Sequence, residues 1–151
     1  IDGTKEYFER LLNGKISNGK KLGQWGYSTN GCFQWCNAKV PIVYHADSQQ
    51  YAAIIYLTPD APPGCGTSFF RHKRYKIRDG SVFSKPDWYR SSLNYKEPHL
   101  DKTEWETVDS VGNVYNRLVI FNGRNIHAVT EYFGENIENS RLFQLFFFNI
   151  N

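Results

Sequence analysis

Sulfur is scarce and poorly arranged for a framework. Cys32, Cys36 and Cys65 are the only cysteines among 151 residues, an odd count with no C-x-x-C pair. That argues against a set of disulfides. Cys32-x-x-x-Cys36 with Cys65 and a His would be only a loose zinc pattern, so free thiols are expected, and with them a reducing, cytoplasmic setting. No apolar run approaches the ~20 residues that cross a bilayer, so no membrane partner is expected. The chain opens at Ile1 with neither Met nor a signal-like apolar stretch, as a trimmed piece of a longer chain would. A formal charge of +3 is too mild to argue for nucleic acid by itself. Repeats and domain linkers are absent, and the length suits one domain over residues 1–151 with a real core.

What the chain does have is aromatic residues. Hydrophobic and charged shares of 40% and 22% are ordinary, but 17% aromatic is high and favours strands and a ring-lined cavity. Thr4 is placed to cap a short helix through Asn13, with Tyr7, Phe8, Leu11 and Leu12 as its apolar stripe and Gly14 as its stop. Residues 14–30, rich in Gly, Asn, Ser and Lys, read as loop with at most one edge strand. Phe33 to Trp35 reads as extended, and Pro41 leads into a strand over Ile42-Val43-Tyr44-His45. Tyr51 to Thr58 is a clear strand with two apolar faces, both expected to be covered. A Pro/Gly turn follows, then extended chain from Thr67 to Phe70.

From Arg71 to Gly112 the periodicity fades. Arg71, Lys73, Arg74, Lys76 and Arg78 form a basic run, and Trp88, Tyr89, Tyr95 and Trp105 stand in polar surroundings. An insertion of this length is expected to be a lid or a set of short helices. The basic run and the aromatics would suit an acidic or peptide substrate, or simply a solvated surface. Strands return at Asn116 to Asn122 and Arg141 to Ile150. Short strands around one long insertion fit a mainly β, antiparallel double-sheet jelly roll of the cupin kind, a double-stranded β-helix with a short N-terminal helix.

His45-Ala46-Asp47 and the distant His127 carry the chemistry. Two imidazoles and one carboxylate can cap one triangular face of an octahedral metal and leave the rest open, the arrangement of non-haem Fe(II) oxygenases. At i and i+2 on a strand, His45 and Asp47 would leave by the same face. An H-x-D arises easily by chance, and a lone strand His is more often a core residue than a ligand. The argument gains from position: His45 and His127 each follow an apolar stretch, where a barrel mouth would place them. Arg141 adds to it, because it opens a strongly apolar strand and a buried guanidinium needs an anion. That anion is either an internal Asp or Glu or the carboxylate of a small co-substrate held by the guanidinium fork. Tyr56 is a candidate second donor to the same carboxylate.

These residues, with Ala53-Ile54-Ile55-Tyr56-Leu57, Gly64-Cys65-Gly66-Thr67 and Asn116-Arg117-Leu118-Val119-Ile120-Phe121, resemble the 2-oxoglutarate- and Fe(II)-dependent dioxygenases of the prolyl hydroxylase type. The likeness spans Tyr44 to Phe148 outside the insertion and extends to uncharacterised bacterial and viral members. Cys65 departs from it by standing where a second Gly belongs. The resemblance implies that His45, Asp47 and His127 hold Fe(II), and that Arg141 and Tyr56 take the far carboxylate of 2-oxoglutarate. It also implies that O2 is consumed to give succinate, CO2 and a hydroxylated product, with ascorbate a further candidate reductant. Because Asp47 keeps the carboxylate that related halogenases lack, it implies hydroxylation rather than halogenation. The substrate is open: a prolyl or other peptidyl side chain or a small molecule is favoured, and nucleic-acid dealkylation stays in view. Two readings from other classes also stand, a metal-binding cupin-like domain without oxygenase chemistry and a non-catalytic binding or structural domain.

Overall fold

The structure is a computed structural model that describes residues 3–17 and 25–151. Among these residues it holds one α-helix and seven strands, all antiparallel. The elements are α1 (Thr4–Leu11), β1 (Phe33–Cys36), β2 (Tyr51–Tyr56), β3 (Thr67–His72), β4 (Trp105–Val111), β5 (Leu118–Asn122), β6 (His127–Val129) and β7 (Arg141–Phe148). They form a four-stranded sheet in the order β1-β7-β2-β5 and a three-stranded sheet in the order β4-β3-β6. No helix among the described residues is long and apolar enough to cross a membrane.

β2 shows why the larger sheet is a central layer. Its residues alternate between two apolar faces, and each face enters a different cluster. Tyr51, Ala53 and Ile55 pack with Phe8, Phe146 and Phe148 under the helix. Ile54 and Tyr56 pack with Phe143, Val119 and Phe121 on the side facing the smaller sheet. β7 divides the same way, so Arg141, Phe143, Leu145 and Phe147 line an internal cavity while Phe146 and Phe148 meet the helix.

The helix is shorter and differently capped than expected. Gly3, at φ 88, is the N-cap and offers no side-chain bond, while Thr4 is already helical. Of the expected stripe, Phe8 is buried and Leu12 packs beside it, whereas Tyr7 and Leu11 are exposed. Phe8 carries the docking: its ring stacks on Phe148 at 5.2 Å and meets Phe146 edge-on at 5.5 Å. The expected loop over 14–30 lies partly outside the described residues.

Two further expectations are corrected. Residues 42–45 form no strand; His45 makes only an isolated bridge to His127. The stretch taken as an insertion contains the end of β3 and all of β4, which pair with each other. What lies between the two strands is 73–104, with three short 3-10 helices at Gly80–Ser84, Pro98–Leu100 and Lys102–Glu104. Nor does this segment line the internal cavity. Val82, Phe83 and Trp88 instead join Tyr44, Phe70, Trp105 and Ile126 in a separate hydrophobic cluster. Its aromatics are the core of a cover on the smaller sheet.

Candidate metal and carboxylate site

His45 and His127 face each other across a reciprocal backbone pair. The His45 N–H donates to the His127 carbonyl at 3.1 Å, and the His127 N–H to the His45 carbonyl at 2.9 Å. Partners in such a pair send their side chains to the same face, and the two imidazole centroids stand 4.4 Å apart. Each ring is also fixed in tautomer. His45 Nδ1 lies 2.9 Å from the Val43 carbonyl and His127 Nδ1 2.8 Å from that of Asn125. A carbonyl only accepts, so each Nδ1 carries the hydrogen and each Nε2 keeps its lone pair.

Both Nε2 atoms look toward Asp47. His45 Nε2 is 3.8 Å from one carboxylate oxygen and His127 Nε2 3.5 Å from the other. The Asp47 backbone is drawn in by its N–H bond of 2.7 Å to the Gly123 carbonyl. Gly123 is needed at that point, since a Cβ there would stand 2.9 Å from the Gln49 carbonyl oxygen and 3.3 Å from Asp47 Oδ2.

The electrostatics suit a cation. Asp47 Oδ2 is buried without a hydrogen-bond partner, and burial raises the carboxyl pKa above its ordinary value while His45 pulls it back. Burial, reinforced by His45, pushes the His127 pKa down to about 4 against the opposing Asn125 carbonyl. The imidazole is therefore neutral near pH 7, as a ligand must be. Donors around one ion at roughly 2.1 Å sit about 3 Å apart; the three ligand atoms here lie within 4.8 Å of one another, so an ion would have to draw them together. Among the described residues this is the sole cluster of three His, Cys, Asp or Glu side chains close enough for a metal. The thiols take no part in such a cluster; all three are free, Cys32 exposed, Cys36 half-buried and Cys65 buried.

Arg141 lies in the wall of the same cavity. The space is about 200 Å³, lined by His45 and His127, by apolar groups such as Ile54, Phe121, Phe143 and Leu145, and by Thr67 and Arg141. Arg141 is 4% exposed, yet none of the ion pairs among the described residues includes it. Its Nε has no partner, and its Nη2 makes only 3.5 Å contacts to the Gly66 carbonyl and Thr67 Oγ1. Aromatic faces cushion it, with Phe143 at 4.7 Å and Tyr56 at 5.5 Å. Burial lowers its pKa, opposed first by Tyr56 and then by Tyr132. An arginine keeps its charge regardless, so a buried cation here faces the cavity without a counter-ion.

Tyr56 is fully buried, and its hydroxyl donates to Thr67 Oγ1 at 2.7 Å. It stands beside Arg141 but outside the cavity lining. Two polar lining residues escaped the sequence reading. Gln34 projects inward from β1, and Tyr132 reaches in from the loop after β6. Only the alternation of β1 signalled Gln34; nothing local signalled Tyr132.

One family profile, described as "Family of unknown function (DUF6445)", matches residues 36–131. No curated protein and no solved structure matches the chain.

Proposed function

The chain belongs to the DUF6445 family, and we propose that it is an oxygenase that uses Fe(II) and 2-oxoglutarate to hydroxylate a substrate C–H bond. One observation carries this reading: a single cavity is lined both by the two imidazoles of a His-Asp-His set, that of His127 held neutral by burial, and by a buried arginine with no acidic partner. A cation site and an anion site in one small apolar space fit a ligand that is metal-binding at one end and carboxylate at the other.

The fold supports the reading through its winding. From β1 the chain passes to the His45 bridge against the smaller sheet, back to β2, over to β3 and β4, and then alternates through β5, β6 and β7. A double-stranded β-helix would be wound in this way, with a mouth that collects ligands from sequence-distant strands. Spacing supports it as well. Phe69 pairs with His127 and Thr67 with Val129, so the histidine row and the row touching Arg141 differ by two residues, roughly 7 Å along the strand. A five-carbon diacid is of that length.

When bound, Fe(II) with a 2-oxo acid would supply dioxygen activation and oxidative decarboxylation, with O2 as oxidant and ascorbate as a candidate reductant. His45, Asp47 and His127 would hold the ion. Arg141 takes the distal carboxylate, with Tyr56 supporting it and Thr67 from behind. Ile54, Phe121, Phe143 and Leu145 keep water from the reacting end. Peptide side chains and small molecules remain the favoured substrates.

The test is anaerobic titration of the protein with Fe(II) and then 2-oxoglutarate, watching for the visible charge-transfer band of the chelate. The band should appear in wild type and need about ten-fold or more 2-oxoglutarate in Arg141→Gln. Iron binding without the band would favour a metal-binding cupin-like domain. No metal binding by folded protein would sink the oxygenase and leave a non-catalytic binding domain.

A further inference from the structure

One polar group in the cavity has no part in the reaction just described: the hydroxyl of Tyr132. The residue lies in the loop between β6 and β7, and its side chain returns to line the cavity with Thr67 and Arg141. The Arg141 guanidinium stands 5.9 Å from its ring centre. The Cys36 thiol lines the same wall and acts electrostatically on the phenol. Tyr56, whose ring lies 5.5 Å from the same guanidinium, differs in its access and its partner. It is sealed from the cavity, and its proton is already given to Thr67 Oγ1.

We propose that Tyr132, rather than Tyr56, gives the second hydrogen bond to the distal carboxylate, and so selects 2-oxo diacids over 2-oxo monoacids. The inference rests on the 2-oxoglutarate reading above. A thiol is a weak partner, so a carboxylate entering the cavity would offer the phenol a charge-assisted hydrogen bond that Cys36 does not. The phenol also keeps its proton: burial, aided by Cys36, pushes its pKa up to about 12. Tyr56 then has a positioning role, holding Thr67 and the aromatic face on which Arg141 rests.

The experiment compares two acids on Fe(II)-loaded, anaerobic protein, 2-oxoglutarate and the five-carbon 2-oxovalerate, which lacks the distal carboxylate. The charge-transfer band reads both titrations. In Tyr132→Phe, 2-oxoglutarate should bind about ten-fold more weakly, while 2-oxovalerate binds as to wild type. Equal weakening of both acids would assign Tyr132 a merely structural role and overturn the proposal. So would wild-type affinity for 2-oxoglutarate in Tyr132→Phe when Arg141→Gln is impaired. The 2-oxovalerate titration also reports whether the variant's site is folded. Absence of any band in wild type is a separate result, which removes the oxygenase reading and this inference together.

Discussion

Cations occupy two unlike neighbourhoods in this chain. In the basic run, Arg71 and Lys76 each reach the same Glu106 oxygen at 2.7 Å, and Arg74 meets Asp87 at 2.9 Å. Behind them His72 lies 3.1 Å from Glu104, and the Asp87 carboxylate accepts from the Tyr75 hydroxyl. In the cavity, Arg141 has aromatic faces and two long contacts, and behind the histidines Asp47 Oδ2 is buried without a hydrogen bond. Three of the five cations in the run have counter-charges within the protein; Arg141 has none among the described residues. A cluster of charge in sequence is thus a poor guide to a site, and an isolated charge in an apolar strand is a better one. The physical reason is cost: a buried ion without a partner is expensive, and a fold retains one where a ligand offsets the cost.

The contrast can be broken most completely at the metal set. His45→Ala with Asp47→Ala should abolish Fe(II) binding in equilibrium dialysis, while thermal melting stays near wild type because a partnerless buried carboxylate has gone. A double variant that melts far below wild type would instead make the pair structural. Next in size is the cover over the smaller sheet. Trp105 is 4% exposed and packs on Tyr44 at 5.7 Å, so Trp105→Ala should cost about 3–5 kcal/mol in urea unfolding. A cost under about 1 kcal/mol would mean that the cluster joining Trp105 to Tyr44, Phe70 and Val82 adds little to stability.

The smallest effect is expected in the basic run, and its pH dependence has a sign. Lys76 and Arg71 hold the Glu106 pKa down to about 2 from its usual 4.5. A depressed carboxylate pKa adds stability above about pH 4.5, lost as pH falls toward 2. Melting curves of wild type and Glu106→Gln should therefore differ by a small constant above pH 4.5 and converge in acid. The pair is solvent-accessible, so added salt should shrink the gap. A gap that widens in acid would contradict the assignment.

Strand alternation made much of the larger sheet legible in advance. The two faces of Tyr51–Tyr56 were readable from period two alone, as was the sharing of one β7 face by Arg141, Phe143, Leu145 and Phe147, but which β7 face turns inward was settled only by the packing of the sheets. β4 was hidden because Trp105–Val111 is an edge strand carrying Glu106 and Asp109, and its pairing with β3 spans more than thirty residues that no local pattern encodes. Residues 42–45 misled for the opposite reason. Their composition suits a strand, but only His45 finds a ladder partner. Of the candidate residues, His45, Asp47 and His127 converge, and Arg141 lines the cavity that holds both histidines. Tyr132 was illegible because a loop residue's inward aim depends on where β6 and β7 end, not on its neighbours.

The reciprocal backbone bond between His45 and His127 has a consequence for metal loading. The two imidazoles are brought together by peptide groups, before any ion arrives and across a stretch longer than half the chain. Under the proposed iron-binding role, coordination would not need to close that loop itself, and an ion could leave and be replaced while the sheets stay zipped. Such a centre would behave as a socket rather than a rivet.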